Sequence, residues 1–363
     1  MKNEMTHLKR SKVALKGDKP DKVPVFSRDL TFPLDVVDYT TPEVCKGGAG
    51  GTFDAEKSAE AVIKSQEEIG HDVVLGSVWD LGLASDVYGG ETKFPEYGIP
   101  RVDEAAFSDN LERVEDVDPI NFREDGRYPG VLESYEIVSE EIGDEVGIAV
   151  NIQGPVTEAC LMRGTEKLLM DMMERPDLAK ELIDLATTNI KNFIEECFEA
   201  GANLTTFLAA SNDGTEVLTP QFMREFSLPK IKEIVEFSHD LGYPVVFHPH
   251  GVFTEPEHHE LVDKSISTGI DGFQFAEDND YEFAAEKWGE DVCILGGVSI
   301  KDAILPGPVS KIENEVKKRL KDCAKDGGYI AMAACSLHRD TPVENVRAMT
   351  EATHKYGEYP INL

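Results

Sequence analysis

The stretch DLGYPVVFHPH, residues 240–250, decides the predicted fold. It ends a helical pattern, turns at Gly242 and continues as a short apolar run that finishes in two histidines. A glycine just past the last helical residue is typical of a helix C-terminus. Short and continuously apolar runs are typical of strands that a parallel sheet buries on both faces. The stretch therefore predicts one helix–strand unit of such a sheet.

The same unit recurs along the chain. A helical pattern, a glycine and an apolar run follow one another at Glu68–Leu75, Glu199–Phe207 and Thr268–Phe275. Eight apolar runs in all are candidate strands: Val23–Phe26, Asp72–Ser77, Gly147–Gln153, Leu204–Ala210, Pro244–His250, Gly272–Ala276, Cys293–Val298 and Tyr329–Cys335. Eight such units predict an α/β fold, a closed (β/α)8 TIM barrel. An open doubly wound sheet is the competing interpretation, but no GxGxxG follows the first strand.

The remaining sequence predicts one catalytic domain with additions. Residues 1–22 form a polar and locally basic N-terminal extension, expected to be a solvated tail, and residues 23–363 form a single TIM-barrel domain. One insertion, residues 37–53, follows the first strand. A second, of about 50 residues, follows the second strand and is too long for a simple crossover. Its turn signals predict a small hairpin over the barrel mouth.

Charge and composition exclude several partners. The 363 residues include 69 Asp and Glu against 36 Lys and Arg, a formal net charge of −33. Such a surface repels nucleic acid and anionic membranes. The chain lacks an apolar signal region and a membrane-length apolar run, so a cytoplasmic location is expected. The six cysteines form no CxxC and are expected to be reduced.

Chemistry in a TIM barrel lies where the strands end, and this rule selects three residues first. His248 and His250 are two positions apart on one strand, so both imidazoles point to the same side. Cys335 ends the last strand and could converge on them. Two imidazoles and a thiolate suit a catalytic Zn²⁺ with an open fourth position. The alternative is a solvated histidine loop and a buried, inert cysteine.

Other strand ends supply further candidates. Asp80 and Asp213 are candidate general acid/base residues, although an aspartate directly after a strand is also a common helix N-cap. Glu277 is expected to face the site or to cap the next helix. The remaining substrate-binding candidates lie at or beside strand ends: Arg28, Trp79, Asn151, Gln153, Asn212 and Phe275. For the two aromatic residues among them, a place in the core is the competing interpretation.

With these residues in view, the chain resembles the uroporphyrinogen decarboxylase superfamily almost end to end. Six segments carry the resemblance: DLGLASDVYGGETKFPEYGIP (80–100), GPVTEACLMRGTEKLLMDMMER (154–175), LTPQFMREFSLPK (218–230), FHPHG (247–251), LGGV (295–298) and ACSLHRDTPVENVRA (334–348). The superfamily fold is a TIM barrel, in agreement with the strand count.

The resemblance implies a choice between two branches. Asp80 falls where the decarboxylases carry their catalytic aspartate, but their arginine-rich motif is reduced here to Arg28. The porphyrinogen substrate of the decarboxylases carries several carboxylates, and binding it needs several cationic donors. One arginine is too few, so the decarboxylase branch is disfavoured. The other branch comprises cobamide-dependent methyltransferases. Those that methylate coenzyme M carry a His-x-Cys motif and a distant Cys, which His248 and Cys335 match, whereas His250 replaces the middle Cys.

The replacement of the middle cysteine by His250 determines which methyl-transfer reaction we expect. A His-His-Cys set is less electron-rich than one with two thiolates and suits an oxygen leaving group. We therefore expect a methyltransferase that moves a methyl group from a small methylated donor, such as a methoxylated aromatic, to Co(I) of a separate corrinoid protein. The alternatives are a methylcobamide:coenzyme M methyltransferase, a decarboxylase-like lyase and a non-catalytic corrinoid-protein scaffold. The chain lacks a DxHxxG motif, so the corrinoid must come from a partner; a homodimer is left open.

Overall fold

A parallel sheet forms the centre of the protein. The computed structural model describes residues 4–46, 51–79, 83–337 and 339–363. Seven parallel strands lie in one sheet in this order: Tyr329–Ala333, Cys293–Val298, Gly272–Gln274, Val245–Pro249, Thr206–Ala210, Gly147–Gln153 and Val73–Leu75. All of them are buried along their length, as the continuously apolar runs predict.

The first predicted strand closes this sheet into a ring. Val25 pairs in parallel with Ala331 of the last strand, and Phe26 pairs in parallel with Val73. The amide of Phe26 donates to the carbonyl of Ala331 at 3.0 Å, and the amide of Val73 donates to the carbonyl of Val25 at 3.2 Å. The segment thus occupies the eighth position between the two sheet edges. The prediction of a TIM barrel is confirmed.

Helices surround the barrel and return the chain to the start of each next strand. The α-helices span His7–Leu15, Phe32–Val36, Thr41–Val44, Ala55–Ile69, Leu83–Val87, Tyr128–Ile142, Pro155–Arg163, Thr165–Glu174, Pro176–Glu199, Pro220–Phe222, Leu228–Asp240, His259–Ser267, Tyr281–Trp288, Val309–Cys323 and Val343–Tyr356. Shorter 3-10 and π-helical turns span Leu111–Asp116, Ser211–Asp213, Met223–Ser227, Pro256–His258 and Ile300–Ile304. Within the described ranges, none of the helices has the length and apolarity needed to cross a membrane.

The N-terminal segment differs from the solvated tail expected of it. Residues 7–15 form a helix that begins at Thr6, whose side chain accepts a hydrogen bond from the amide of Lys9. Ala14 and Leu15 are buried among the side chains that fill the barrel interior. Arg10 is buried and ion-paired with Asp72 at the start of the second barrel strand. The basic helix therefore covers the end of the barrel opposite the strand C-termini.

The two insertions lie where the sequence predicts them, at the strand C-termini. Strand Cys45–Lys46 pairs antiparallel with Thr52–Phe53 in the first insertion. In the second insertion, Glu91–Lys93 pairs antiparallel with Arg101–Glu104, which is the predicted hairpin. Because the hairpin's loop and second strand line the main cavity, the insertion forms part of the barrel mouth.

Candidate functional site

A cavity of about 930 Å³ opens at the C-terminal ends of the barrel strands. Residues from five different strand ends line it, together with the hairpin and the helices after strand Gly147–Gln153. A volume of this size is typical of a site for a small molecule. The predicted site residues that line it are Arg28, Gln153, His248, His250 and Cys335.

The structure brings the two histidines and the cysteine together. The Cys335 Sγ atom lies 3.8 Å from Nε2 of His248 and 3.8 Å from Nε2 of His250. One ligand atom from each residue lies within 4.8 Å of the others, and this is the only such group of metal-ligating side chains in the part of the chain that the structure describes. The alternation of side chains along strand Val245–Pro249 produces this arrangement, as the HxH spacing predicts.

An oxygen atom lies close to the Nδ1 atom of each imidazole ring. The Nδ1 atom of His248 lies 3.2 Å from the carbonyl oxygen of Gln274 on the neighbouring strand. The Nδ1 atom of His250 lies 3.6 Å from the Glu216 carboxylate. The acceptor at Nδ1 of His248 fixes that ring and leaves the lone pair of its Nε2 for a metal, the usual arrangement around metal-bound histidine, whereas Glu216 lies at ion-pair distance from His250. Both Nε2 atoms face the same sulfur.

The electrostatics of this group favour a thiolate. Burial on its own would raise the pKa of Cys335, but hydrogen bonds with His248 and His250 and the nearby Arg28 guanidinium lower it to about 4. Burial lowers the pKa of His248, whereas the hydrogen bond with Cys335 raises the pKa of His250. Because the thiolate is the form that binds metals, the donor set of two imidazoles and one thiolate fits Zn²⁺. The cavity provides room for a fourth ligand.

Arg28 places a cationic group in the same cavity. Its Nε donates to Oδ1 of Asn151 at 2.7 Å, and its Nη1 donates to Oγ of Ser336 at 2.5 Å. The guanidinium carbon also lies 5.3 Å from the centre of the Phe207 ring. Asn151, a predicted substrate-binding residue, is fully buried and does not line the cavity. It holds Arg28 in place instead.

Gln153, the last residue of strand Gly147–Gln153, is a further polar residue of the cavity wall. It is buried, and its Oε1 atom has no hydrogen-bond partner among the described residues. An unsatisfied buried carbonyl is costly, and a ligand with a donor group would relieve this cost. The placement supports the predicted role of Gln153 in substrate binding.

The two predicted aromatic site residues lie in the core instead. Trp79 is fully buried and packs edge-on against Phe53, with ring centres 5.8 Å apart. Phe275 stacks on Phe273 with ring centres 4.3 Å apart and is equally buried. Neither lines the cavity, so the structure places both in the core, as the competing interpretation predicts, and does not bring them to the other site residues. Strand-end position predicts the height of a side chain in the barrel, but not whether it points inward.

Asp213 anchors a helix and does not face the cavity. Its carboxylate accepts hydrogen bonds from the amides of Val156 and Thr157, the Thr157 hydroxyl and the Ser227 hydroxyl, at 2.7–3.1 Å. The two amides belong to the first turn of helix Pro155–Arg163, whose free N–H groups favour a negative charge. Burial raises the pKa of Asp213. The structure therefore places Asp213 in the N-terminal anchoring role that the sequence leaves open beside the general acid/base role.

Two other predicted substrate-binding residues make hydrogen bonds within the protein and do not line the cavity. The amide Nδ2 of Asn212 donates to Oγ1 of Thr165 at 3.3 Å, and Asn212 does not line the cavity. Glu277 accepts hydrogen bonds from the Ser299 hydroxyl and from the amide of Lys301, and so caps the turn Ile300–Ile304. The structure does not bring either residue to the cavity wall. Asp80 lies outside the described residues.

The structural role of Asp213 leads to a prediction. The variant Asp213→Asn removes the charge and one acceptor from four buried donors, so the free energy of unfolding should fall by about 1–3 kcal/mol in urea denaturation. Its kcat, measured on the folded protein below the transition, should be unchanged. A loss of about 10²–10⁴ in kcat without a loss of stability would restore Asp213 as a general acid or base.

Several residues of the cavity wall escaped the sequence analysis. Ser336 directly follows a named strand end and could have been found by the same rule. The others come from the hairpin and from helices, whose positions over the mouth only the tertiary structure shows: Ile99, Arg101, Thr157, Cys160, Arg163 and Lys167. The backbone carbonyl of Gln274, which contacts His248, carries no sequence signal because any residue supplies a carbonyl.

Comparison with known proteins agrees with this architecture. The sequence profile of the uroporphyrinogen decarboxylase (URO-D) family matches residues 6–356. The chain belongs to this family. Within the URO-D family, it is 25% identical over 357 residues to the methylcobamide:CoM methyltransferase MtaA of Methanosarcina barkeri, covering 98% of this chain and 99% of the relative. The resemblance predicted from the sequence is confirmed.

Two further similar proteins are methyltransferases of Methanosarcina mazei. A methylated-thiol–coenzyme M methyltransferase of Methanosarcina mazei is 25% identical, over 97% of this chain and 90% of the relative. Among solved structures, a methyltransferase from Methanosarcina mazei superposes with a TM-score of 0.84 at 26% identity, covering 97% of this chain and 99% of that chain. The shared fold thus extends over the whole URO-D domain.

Proposed function

We propose that the chain transfers a methyl group from a methylated corrinoid protein to a small thiol of the coenzyme M type. The observation that carries the proposal is the convergence of His248, His250 and Cys335 on one point of the mouth cavity. The relatives support it, because they are named as methyltransferases that act on coenzyme M. The chain is a corrinoid-dependent methyltransferase, as the resemblance predicts. These names favour a thiol acceptor over the methoxylated aromatic donor expected first.

The proposal includes a zinc ion at this site. His248, His250 and Cys335 would hold Zn²⁺, which supplies a Lewis acid that lowers the pKa of a thiol at the open fourth position. The Gln274 carbonyl keeps the His248 imidazole oriented for this task, so this ring needs no reorganisation when a ligand arrives. The Glu216 carboxylate lies beside the His250 ring, at 3.6 Å from its Nδ1 atom.

The other cavity residues bind and orient the acceptor. Coenzyme M carries an anionic group, and the buried Arg28 guanidinium is a suitable partner for it. Asn151 and Ser336 fix that guanidinium, so little conformational entropy is lost on binding. Gln153 offers a hydrogen-bond acceptor in the same wall. In the reaction, a sulfur lone pair forms the S–C bond, the C–Co bond breaks with both electrons on cobalt, and the thiol proton leaves to solvent.

One observation favours a second candidate function. The site holds a single thiolate, since His250 stands where coenzyme M methyltransferases are expected to carry a cysteine. A more Lewis-acidic centre suits an oxygen leaving group, so methyl transfer from an aryl methyl ether to Co(I) is the second candidate.

Assays in both directions separate the two candidates. The zinc-loaded protein is incubated with methylcobalamin and coenzyme M, and separately with cob(I)alamin and the phenyl methyl ether guaiacol. The proposal predicts methylated coenzyme M in the first reaction and no catechol in the second. Catechol formation without thiol methylation would replace the proposal with the second candidate.

A further inference from the structure

Exposed apolar side chains concentrate beside the cavity mouth. Within the described ranges, six large hydrophobic side chains are exposed: Tyr97, Ile99, Met170, Met173, Val309 and Leu363. The first four belong to two segments that also line the cavity. We call these four residues the mouth patch. Exposed apolar groups that are clustered, and not scattered singly, are typical of interaction surfaces.

The methionine half of the mouth patch lies on helix Thr165–Glu174. The first turn of this helix lines the cavity through Thr165, Glu166 and Lys167. Met170 and Met173 follow Lys167 by three and six residues, which places them about 5–9 Å further along the helix axis. They are 46% and 65% exposed. Flexible, polarisable methionine side chains are over-represented on protein-binding surfaces.

The aromatic half lies on the hairpin loop and is held in place. Tyr97 is 56% exposed, yet the guanidinium carbon of Arg339 lies 4.1 Å from the centre of its ring. Arg339 in turn pairs with Asp35 at 2.7 Å. A pre-oriented, exposed tyrosine binds a partner at a low cost in conformational entropy.

The two halves belong to one rim. The Nζ atom of Lys167 donates to the carbonyl of Ser108, just beyond the hairpin, at 2.7 Å. The guanidinium of Arg163, immediately before the methionine helix, donates to the same carbonyl at 2.9 Å. These bonds hold the helix against the segment that follows the hairpin. Ile99 of the hairpin loop and the first turn of the helix line the same cavity, so a single partner surface can reach both.

We propose that the mouth patch is the docking surface for the protein that carries the corrinoid. The inference rests on the proposed function and deepens it by assigning the residues that receive this partner. A cavity of about 930 Å³ accommodates a small molecule but not a protein, so the carrier must press on the rim while the methyl group reaches inward. Charges at the rim are mixed, with Arg101 and Lys167 beside Glu104 and Glu166. Apolar contact with the patch is therefore the main source of affinity.

The test compares free and protein-bound methyl donors. The double variant M170E/M173E is assayed with coenzyme M and two donors: methylcobalamin in solution, and the methylated corrinoid protein of the source organism that the unmodified chain demethylates fastest. KM for the corrinoid protein should rise at least about tenfold, since buried interface anchors are each worth more than about 1 kcal/mol. The kinetic constants with free methylcobalamin should not change. Tyr97→Ala should raise the same KM without adding a charge.

Controls make failure of the two proposals distinguishable. Leu363→Glu places one such charge on a similarly exposed apolar residue outside the patch and should leave KM for the corrinoid protein unchanged. An unchanged KM in both M170E/M173E and Tyr97→Ala, with normal activity on free methylcobalamin, would overturn the docking surface alone. Absence of thiol methylation from either donor in the unmodified chain would overturn the proposed function and the docking surface with it.

Discussion

The variant Cys335→Ser is expected to lose its bound metal and to transfer methyl groups at least about 100-fold more slowly, because even residues that only support metal ligands contribute about 10–100-fold. A serine hydroxyl stays protonated at neutral pH, whereas the pKa of Cys335 is lowered to about 4 by its hydrogen bonds with the two histidines. The unmodified protein should contain about one zinc per chain. Elemental analysis and the methylcobalamin assay measure both effects on the same sample.

Cys323→Ser is the matched control for this prediction. Cys323 is also a buried cysteine, but it lies at the end of helix Val309–Cys323 and does not line the cavity. Burial raises its pKa to about 12, so it is an inert thiol. This variant should keep both its metal and its rate. A Cys335→Ser protein with full metal content and full activity would show that the sulfur is not a ligand.

The second large effect is expected at the opposite end of the barrel, where Asp72 joins the N-terminal helix to the strands. Its carboxylate accepts hydrogen bonds from His7, from His354, from the amide of Val25 and from Arg10. The side chain is fully buried. Breaking a buried ion pair by removing one partner costs about 3–5 kcal/mol, so Asp72→Asn should lower the free energy of unfolding by that amount. Urea denaturation at pH 7 measures it.

The same site predicts the direction of a pH effect. Burial opposes the charge on Asp72, but hydrogen bonds from His354 and His7 and the Arg10 charge hold the pKa of the carboxyl well below its usual range. A depressed carboxyl pKa stabilises the fold at pH values above the ordinary pKa of about 3.9, and this contribution is lost as the pH falls further. Asp72→Asn should therefore flatten the acid limb of the stability curve.

An exposed aspartate provides the comparison. Asp326 lies 3.5 Å from Lys19 and its side chain is 87% exposed. Asp326→Asn should change the free energy of unfolding by less than about 1 kcal/mol, because solvent screens such a pair. Equal losses in the two variants would contradict the anchoring role assigned to Asp72.

The sequence predicts the barrel and the metal-ligand group for the same physical reason. Strands buried on both faces leave continuously apolar runs, and the polar residues that interrupt them mark the strand ends. Two-residue periodicity then places His248 and His250 on one side, and the closure of the ring brings Cys335 to them. The match of residues 6–356 to the URO-D family agrees with this interpretation.

The predicted residues that the structure leaves outside the cavity wall also share one cause. Trp79, Phe275 and Asp213 lie near strand ends, but the direction of each side chain depends on what packs against it. Trp79 packs against Phe53 of the first insertion, Phe275 stacks on Phe273, and Asp213 accepts from the unpaired amides of helix Pro155–Arg163. Long-range partners such as Glu216 for His250, or Ser336 for Arg28, follow only from the three-dimensional arrangement.

The most direct test of the account measures the rate of thiol-dependent methylcobalamin demethylation against the amount of zinc bound per chain. Metal-free protein is titrated with Zn²⁺, and the loss of methylcobalamin absorbance is followed with coenzyme M present and absent. The account predicts a rate that depends on the thiol and rises in proportion to zinc until about one ion per chain is bound. Full activity in the metal-free protein, or zinc binding without any thiol-dependent rate, would contradict it.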